Sequence, residues 1–470
     1  MIQFHPVTAE TKAVFDKYIK GSRIRNCDMA FANIYCWQET YRSEWAEADG
    51  FLIVRYRING GRLTAYMQPV RAGGSEDFTR LIPLLESDAA SLGQPLRITG
   101  LTSEAAALLR QAYPEKFVFA DNRSAADYIY AAADLRNLTG RKYQPKRNHL
   151  NRFNDLYDYS YEPLTADMKD ECMALEREWC RHHENCDDSS ITAERRAMQR
   201  GFDKFDELGL TGGAIRIGGR IAAFTYGSPV NDDTFVIHIE KADTAYEGIF
   251  PAINRLFACR IPERYEYINR EEDMGVEGLR RSKMSYHPVM LQSKITAAVL
   301  DREEREIKRL WTDVFGDDET FVDNFLINCR PHVRSFLHYE EGELASMLHV
   351  VPLRSGNGMR IAYIYAVATD PRHRRKGFAT ALMHMAMDSV RRTFDAAALI
   401  PSGDEVKRFY GQFGFEETGT RIEFDTDFDF GSGDADRNTA MICRLDDTRT
   451  LSQDDGRLRL EDTATTLPEL

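Results

Sequence analysis

The stretch from Ile361 to Val390 constrains this chain more than any other. Ile361 to Ala368 reads Ile-Ala-Tyr-Ile-Tyr-Ala-Val-Ala, a nearly continuous apolar run of the kind a strand covered on both faces needs. Arg372-His373-Arg374-Arg375-Lys376 then sets four cations ahead of Gly377. The residues that follow carry helical periodicity, which places Phe378, Leu382, Met385 and Met387 to Val390 toward a core. Strand, basic glycine turn and helix in this order make an anion cradle. The first N–H groups of a helix have no partner inside it and lie at the positive end of its dipole, so a polyphosphate can dock there if no side chain obstructs the backbone. Gly377 and Ala379 leave that room.

At 470 residues the chain exceeds what one hydrophobic core serves, so two or three domains are expected. No window approaches the ~18 consecutive apolar residues of a membrane span, and Met1 to Pro6 lacks the basic and apolar regions of a signal peptide. Cytoplasmic residence is the expectation. The eight cysteines are scattered without paired spacing, which suits reduced thiols, and no bridge is expected. A formal net charge of −13 argues against broad binding to nucleic acid or anionic membrane, which depends on neutralising phosphates with cations, while leaving local basic patches open.

The pattern divides the chain into three units that share a grammar. In the first, residues 1 to about 125, alternating strands at Phe51–Ile58 and Arg62–Met67 flank an Asn-Gly turn, a strong hairpin signal without evident chemistry. In the second, about 126 to 297, a hairpin turns at Gly218-Gly219, Thr234–Ile239 is a strand, and Tyr246-Glu247-Gly248 opens a helix toward a further strand at Tyr265–Ile268. The third begins near Asp301 with a helix whose Ile307, Leu310, Trp311 and Val314 share a face, followed by a hairpin turned at Glu340–Glu343 and then the cradle. Thr448 to Leu470 reads as a mobile polar tail.

Two motifs in the third unit carry a resemblance. Arg374-Arg375-Lys376-Gly377-Phe378-Ala379, between strand and helix, resembles the pyrophosphate loop of the GNAT acetyltransferases, and Phe409-Tyr410-Gly411-Gln412-Phe413-Gly414-Phe415 resembles the motif that ends their fold. The resemblance covers about Asp301 to Leu445. It implies acetyl-CoA as co-substrate, with Val367 and Thr369 offering main-chain groups to the pantetheine arm and Arg374, Arg375, Lys376, Gly377, Phe378, Ala379 and Thr380 around the pyrophosphate. It also implies Tyr410 as general acid toward the departing thiolate. Ser402 stands where many members carry asparagine. For the base, Tyr365, a water and Glu343 stay open.

Residues 1–297 resemble a second branch of that superfamily, the phosphatidylglycerol lysyltransferase catalytic domains. The stretches that carry this are Gly140 to His149, His238-Ile239-Glu240-Lys241-Ala242-Asp243, and Asn269 to Gly275 through Lys283-Met284-Ser285-Tyr286. The implied fold class is α/β with mixed sheets: three GNAT-like units, two of them fused as one double-lobed domain over 1–297, then a GNAT domain over 301–447 and the tail at 448–470. Better-known relatives in this branch move an amino acid from aminoacyl-tRNA to lipid or peptidoglycan. Here the glycine turn of the second lobe is two residues shorter than that of the third unit, counted from Asp243 and Asp370, and carries Tyr246-Glu247 where Arg375-Lys376 would stand. A glutamate there repels pyrophosphate.

Within the double lobe, Lys142, Lys146, Arg147 and Arg152, interleaved with Tyr143 and Phe153, are candidates for a tRNA or lipid phosphate, with solvated helix residues as the alternative. Glu240, Asn269, Glu271, Glu272 and Asp273, with Lys283, are candidates for an ammonium-binding cleft, with structural ion pairs as the alternative. Cys180 to Cys186 and the acidic loop Asp425, Asp427, Asp429, Asp436 lack the spacing of metal sites, so no metal is expected.

The expected function is transfer of an acetyl group from acetyl-CoA to a primary amine on a small molecule or peptide. Aminoacyl-tRNA-dependent transfer through the double lobe and a non-catalytic acetyl-CoA sensor are the alternatives.

Overall fold

The computed structural model describes residues 2–73, 77–181, 189–426, 428, 430, 439–445 and 457–462. The chain forms two compact units, one of residues 1–115 and 122–297, the other of residues 116–121 and 298–470.

Unit 1 holds two mixed sheets. The strands of the first run in the order His5–Pro6, Glu44–Ala48, Phe51–Ile58, Leu63–Met67, Arg97–Leu101. Those of the second run Met290–Gln292, Asp127–Ala131, Tyr267–Asn269, Thr234–Ala242, Arg220–Pro229, Thr211–Ile217, Tyr159–Pro163. One core serves both lobes: Phe15, Phe31, Leu52 and Val54 pack in the same cluster as Phe202, Phe224, Tyr226 and Ile239.

Unit 2 has one sheet, ordered Arg334–Glu340, Glu343–Ser355, Arg360–Thr369, Ala396–Leu399, Thr439–Arg444, Glu416–Asp425, Arg457–Asp462. Its first helix, Arg302–Phe315, starts at an Asp301/Glu304 capping box and buries Ile307, Leu310 and Trp311, whose three- and four-residue spacing puts them on one face. Glu343–Ser355 takes Arg334–Glu340 along Glu343–Val350 and Arg457–Asp462 along Leu353–Ser355, so the strand expected to be part of a mobile tail closes the sheet on itself. Leu458 and Leu460 supply the reason, for they are buried in the unit's core.

The mixed sheets and the repeated grammar are as expected. Each sheet contains a parallel pair bridged by a helix: Tyr66 opposite Ile98, Thr234 opposite Tyr267, and Ile361 opposite Ala396. Two local expectations fail. Met385 is 57% exposed, because the buried face of helix Phe378–Val390 is Leu382, Met383, Ala386, Met387 and Val390, one position off the apolar count. Cys180 is disulfide-bonded, whereas Cys27, Cys36, Cys172, Cys259, Cys329 and Cys443 are free.

Candidate functional site

In unit 2 the central strand Arg360–Thr369 is a buried run broken by a bulge. Met347 faces Ala368 and His349 faces Tyr365, so Ala366 and Val367 together oppose Leu348, and Ala366 takes a positive φ of 48°. A bulge bends its strand and ends regular pairing. Accordingly the parallel neighbour Ala396–Leu399 pairs only with Ile361–Tyr363, and the two strands part beyond that point. Gly377 then caps helix Phe378–Val390 at φ 84°, ψ 5°, a left-handed conformation that glycine adopts without steric cost. A Cβ placed on Gly377 would meet nothing within 4 Å. The first intrahelical bond runs from Ala381 N–H to the Gly377 carbonyl, which leaves the N–H groups of Phe378, Ala379 and Thr380 to an outside acceptor.

Around this open end the cations are unequally committed. Arg372 is tied to Asp370 at 2.8 Å and Glu343 at 3.0 Å. Arg374 reaches the Thr369 carbonyl only at 3.4 Å, and Lys376 lies 3.1 Å from His373. Arg375, exposed and at φ 65°, has no ion pair among the described residues. Thr369 shares a hydrogen bond with Ser346 at 2.9 Å, and Val367 is half-buried on the bulge. Ser402 is an exposed loop residue.

Tyr410, on helix Asp404–Gly411, packs beside Phe409 and Phe415, and burial pushes its hydroxyl up to about 12. Of the candidate bases, Glu343 is spent on Arg372 at the surface. Tyr365 stands in an aromatic cluster with Trp311, Phe325 and Phe430.

The second lobe of unit 1 repeats this architecture and blocks it. Gly248 caps helix Ile249–Ala258 at φ 83°, ψ 3°, within a few degrees of Gly377. Here, however, a Cβ would lie 2.5 Å from the His149 carbonyl oxygen and 3.1 Å from Phe153 Cβ, because helix Gln144–Leu156 covers the position. Arg152 pairs with Glu247 at 2.9 Å. Just beyond strand Tyr267–Asn269 the buried Lys283 ammonium donates to the carbonyls of Arg270 at 2.6 Å and Glu272 at 2.5 Å. Burial, more than Arg270, lowers the Lys283 pKa.

The basic candidates of the same lobe each have a local partner. Lys142 pairs with Asp134, and Arg147 donates to the carbonyls of Leu138 and Gly140. Lys146 is half-buried over the Tyr286 ring at 3.9 Å. Burial first and Arg270 second lower its pKa to about 8.

The acidic candidates split between two faces. A cavity of about 490 Å³ within unit 1 is lined by both lobes, with Trp37, Tyr41, Tyr56 and Tyr226 on its walls and Glu271 and Glu272 among its polar groups. Glu240, Asn269, Asp273 and Lys283 do not line it. Glu240 pairs with Arg270 at 2.8 Å and accepts from Asn254, and Asp273 is enclosed by Arg123, Arg280 and Tyr128. Asn269 donates to Asp127 at 2.8 Å and to the Arg25 carbonyl at 2.7 Å. For Glu240 the cause is backbone geometry. Tyr226 faces Ile239 and Gly227 faces Ile237, so His238 is the extra residue of a bulge, and His238 and Ile239 both line the cavity although they are consecutive.

The bulge sets up a chain of contacts. Ser228 Oγ lies 2.8 Å from His238 Nε2, His238 Nδ1 lies 3.0 Å from Glu271 Oε1, and Asn33 donates to that same oxygen at 2.8 Å. A carboxylate oxygen only accepts, so the Glu271 contact is made by Nδ1–H, and Ser228 Oγ faces the other ring nitrogen. Glu271 itself is held at φ 57°, a conformation uncommon outside glycine.

A second group faces the cavity through Cys27, Asp28 and Glu272. Lys294, itself 7% exposed, reaches Asp127 at 2.9 Å, Asp28 and Cys27 at 3.2 Å, and Glu272 at 3.3 Å. Cys27, Asp127 and Glu272 offer metal-ligand types within 4.8 Å of one another, with the Lys294 ammonium among them. The first-lobe residues Cys27, Asp28 and Asn33, and Lys294, have no role in the sequence reading. The available signal was Lys294, the lone charge in the stretch Val289 to Leu300. The Cys180–Cys186 and Asp425–Asp436 patterns lie largely outside the described residues.

A solved structure of a conserved protein of unknown function from Bacteroides thetaiotaomicron is 42% identical, covers 64% of this chain and all of that one, and superposes with a TM-score of 0.61. An Escherichia coli GNAT family N-acetyltransferase, solved in complex with CoA, is 17% identical over 35% of this chain and 86% of that one, with a TM-score of 0.27. An uncharacterised protein of Mycoplasmoides gallisepticum is 25% identical over 183 residues, 38% of this chain, and the chain spans 58% of that relative's length. Residues 297–418 match the acetyltransferase (GNAT) domain family. Residues 20–298, more than half the chain, match the family described as phosphatidylglycerol lysyltransferase, C-terminal, and the chain belongs to that family, with a GNAT domain following it.

Proposed function

We propose that this protein moves an acetyl group from acetyl-CoA to a primary amine of a small molecule or peptide, with the chemistry in the GNAT domain, residues 301–447. The two family matches support acyl transfer as the general chemistry. The observation that carries the finer reading is the unobstructed helix start at Gly377, ringed by Arg374, Arg375 and Lys376, against its blocked counterpart at Gly248.

In this reading the pyrophosphate accepts from the N–H groups of Phe378, Ala379 and Thr380 with Arg375 and Lys376 beside it, and the pantetheine arm runs along Val367 and Thr369, where the bulge frees main-chain groups. A backbone N–H of the parted strand polarises the thioester carbonyl. The amine attacks, and Tyr410 gives its proton to the departing thiolate. A phenol pushed up to about 12 by burial remains protonated at neutral pH, as a general acid must. With Glu343 paired to Arg372, a water or Tyr365 is left to take the ammonium proton.

Calorimetric titration of the full chain with acetyl-CoA, and thiol release against a panel of primary amines, test this. Micromolar binding with amine-dependent thiol release is expected, and an absence of binding overturns the reading. Binding that persists while no amine supports release in either wild type or Tyr410→Phe would favour a sensor.

The cavity of unit 1 favours a second reading beside the first. The double lobe would transfer an aminoacyl group from aminoacyl-tRNA, with the 490 Å³ cavity holding the aminoacyl moiety. Filter binding of charged tRNA, with its salt dependence, checks it.

A further inference from the structure

We propose that Lys146 is a nucleophilic amine of the second lobe, and that it accepts an acyl group from a small thioester, making it a site of covalent modification. The proposal concerns unit 1 alone and does not depend on acetyl transfer at Gly377.

The first observation is what surrounds the amine. Lys146 lies near the start of helix Gln144–Leu156, and its half-buried side chain sets Nζ 3.9 Å from the centroid of the Tyr286 ring. Among the described residues that ring is its partner, and Nζ makes no hydrogen bond or ion pair. Its own helix offers no anion within one turn, because the positions three and four residues away are Lys142, Tyr143, His149 and Leu150. Tyr286 is a phenol whose hydroxyl burial pushes up, so it supplies no charge either.

The second is a competing cation. Arg270 stands over the same Tyr286 ring, with its guanidinium 4.8 Å from the centroid. The carboxylate close to both is Glu240, and both its oxygens are taken: Oε1 accepts from Arg270 at 2.8 Å and Oε2 from Asn254 at 3.0 Å. Two cations therefore share one ring and one carboxylate, and that carboxylate is committed to Arg270.

These surroundings favour the uncharged amine. An ammonium keeps its proton when water or a carboxylate solvates it, and a half-buried seat beside a guanidinium limits the first and opposes the charge itself. The ring face returns only part of that loss, about 0.5–2 kcal/mol. Burial first and Arg270 second accordingly bring Lys146 to about 8. At pH 7.5 about a quarter of it is then neutral, against about one in a thousand for an ordinary lysine. Desolvation and an adjacent cation are what activate a lysine as a nucleophile. The neutral nitrogen attacks the thioester carbonyl, the C–N bond forms as the C–S bond breaks, the thiolate leaves with the electron pair, and the proton released from nitrogen converts it to the thiol. The amide that remains is uncharged, which ends the repulsion with Arg270.

For the test, the full chain is incubated with S-acetyl-N-acetylcysteamine, a thioester without the nucleotide of CoA, and acetylation of each lysine is followed by peptide mass spectrometry. At pH 7.5 Lys146 is expected to react about tenfold faster than Lys142, which is more exposed but pairs with Asp134 at 3.2 Å. Its lower basicity, which weakens an amine as a nucleophile, holds the gain to that size. The Lys146 rate should level off above about pH 8, whereas that of Lys142 keeps rising. Arg270→Met, by releasing Glu240 to Lys146, should slow Lys146 about tenfold and leave Lys142 unchanged. If that variant does not fold, the wild-type ranking and pH profile still decide. Equal or faster reaction at Lys142, a Lys146 rate that rises through about pH 10, or indifference of a folded Arg270→Met chain each overturns the proposal.

Discussion

Two helix starts in this molecule share a backbone and differ in everything a ligand would meet. Gly248 and Gly377 each cap a helix in the left-handed region within a few degrees of one another, after a bulged strand and before a parallel one. At Gly377 the space beyond the α-carbon is empty and cations stand around it. At Gly248 the same space holds the His149 carbonyl and Phe153. The difference teaches that the cradle is a property of the fold, whereas its use is decided by what packs on it. In the second lobe, helix Gln144–Leu156 packs on the position that stands open at Gly377.

That contrast can be broken by substitution. Gly377→Glu puts a like charge and a strained side chain where phosphate would dock, and acetyl-CoA affinity should fall by about a hundredfold or more by calorimetry. Tyr410→Phe should lower turnover by about a hundredfold while leaving acetyl-CoA affinity within about twofold, as measured by thiol release and titration in parallel. Gly248→Ala should act in the opposite sense. With backbone oxygen 2.5 Å away, it should cost about 2–4 kcal/mol in denaturant unfolding of unit 1 and leave acetyl-CoA binding unchanged. Loss of acetyl-CoA binding in this variant would show that the second lobe, not unit 2, holds the cofactor. Arg375→Ala, which removes a cation with no ion pair among the described residues, should weaken acetyl-CoA by about tenfold, with a reduced dependence on salt. Arg152→Ala, the cation paired with Glu247 on the covered helix start, should change stability by less than about 0.5 kcal/mol and binding not at all.

Much of this architecture was legible because it is written in local chemistry. The Asn59–Gly61 turn, the Gly218-Gly219 hairpin and the glycines at 248 and 377 all fall where sequence pattern places them, since turns and helix caps are decided by a few adjacent residues. Glu247, which the sequence sets apart from the basic turn at Gly377, pairs with Arg152 in the structure. What escaped depends on contacts distant in the chain. The unpaired position of His238 in its ladder reverses the side-chain alternation along strand Thr234–Ala242, so Glu240 faces Arg270 and not the cavity, and no periodicity count could place that reversal. Cys27, Asp28 and Asn33 come from a lobe whose sequence carries no motif, and they acquire a role only when Lys294 and Glu271 are brought against them from more than two hundred residues away. Residues 457–462 read as tail because the alternation Arg457-Leu458-Arg459-Leu460 is too short a signal without a partner strand.

That last strand has a consequence for how unit 2 is made. Because Arg457–Asp462 joins Glu416–Asp425 to Glu343–Ser355, strands from Glu343 onward form a ring, and ring closure pairs Ser355 with Leu460, about a hundred residues apart in the chain. During synthesis the ring cannot close until those residues have left the ribosome, so the preceding strands wait with two unpaired edges, a state prone to strand addition between chains. Cutting the chain before residue 457 would make that waiting state permanent. A fragment ending at residue 447 should aggregate where one extending past 462 does not.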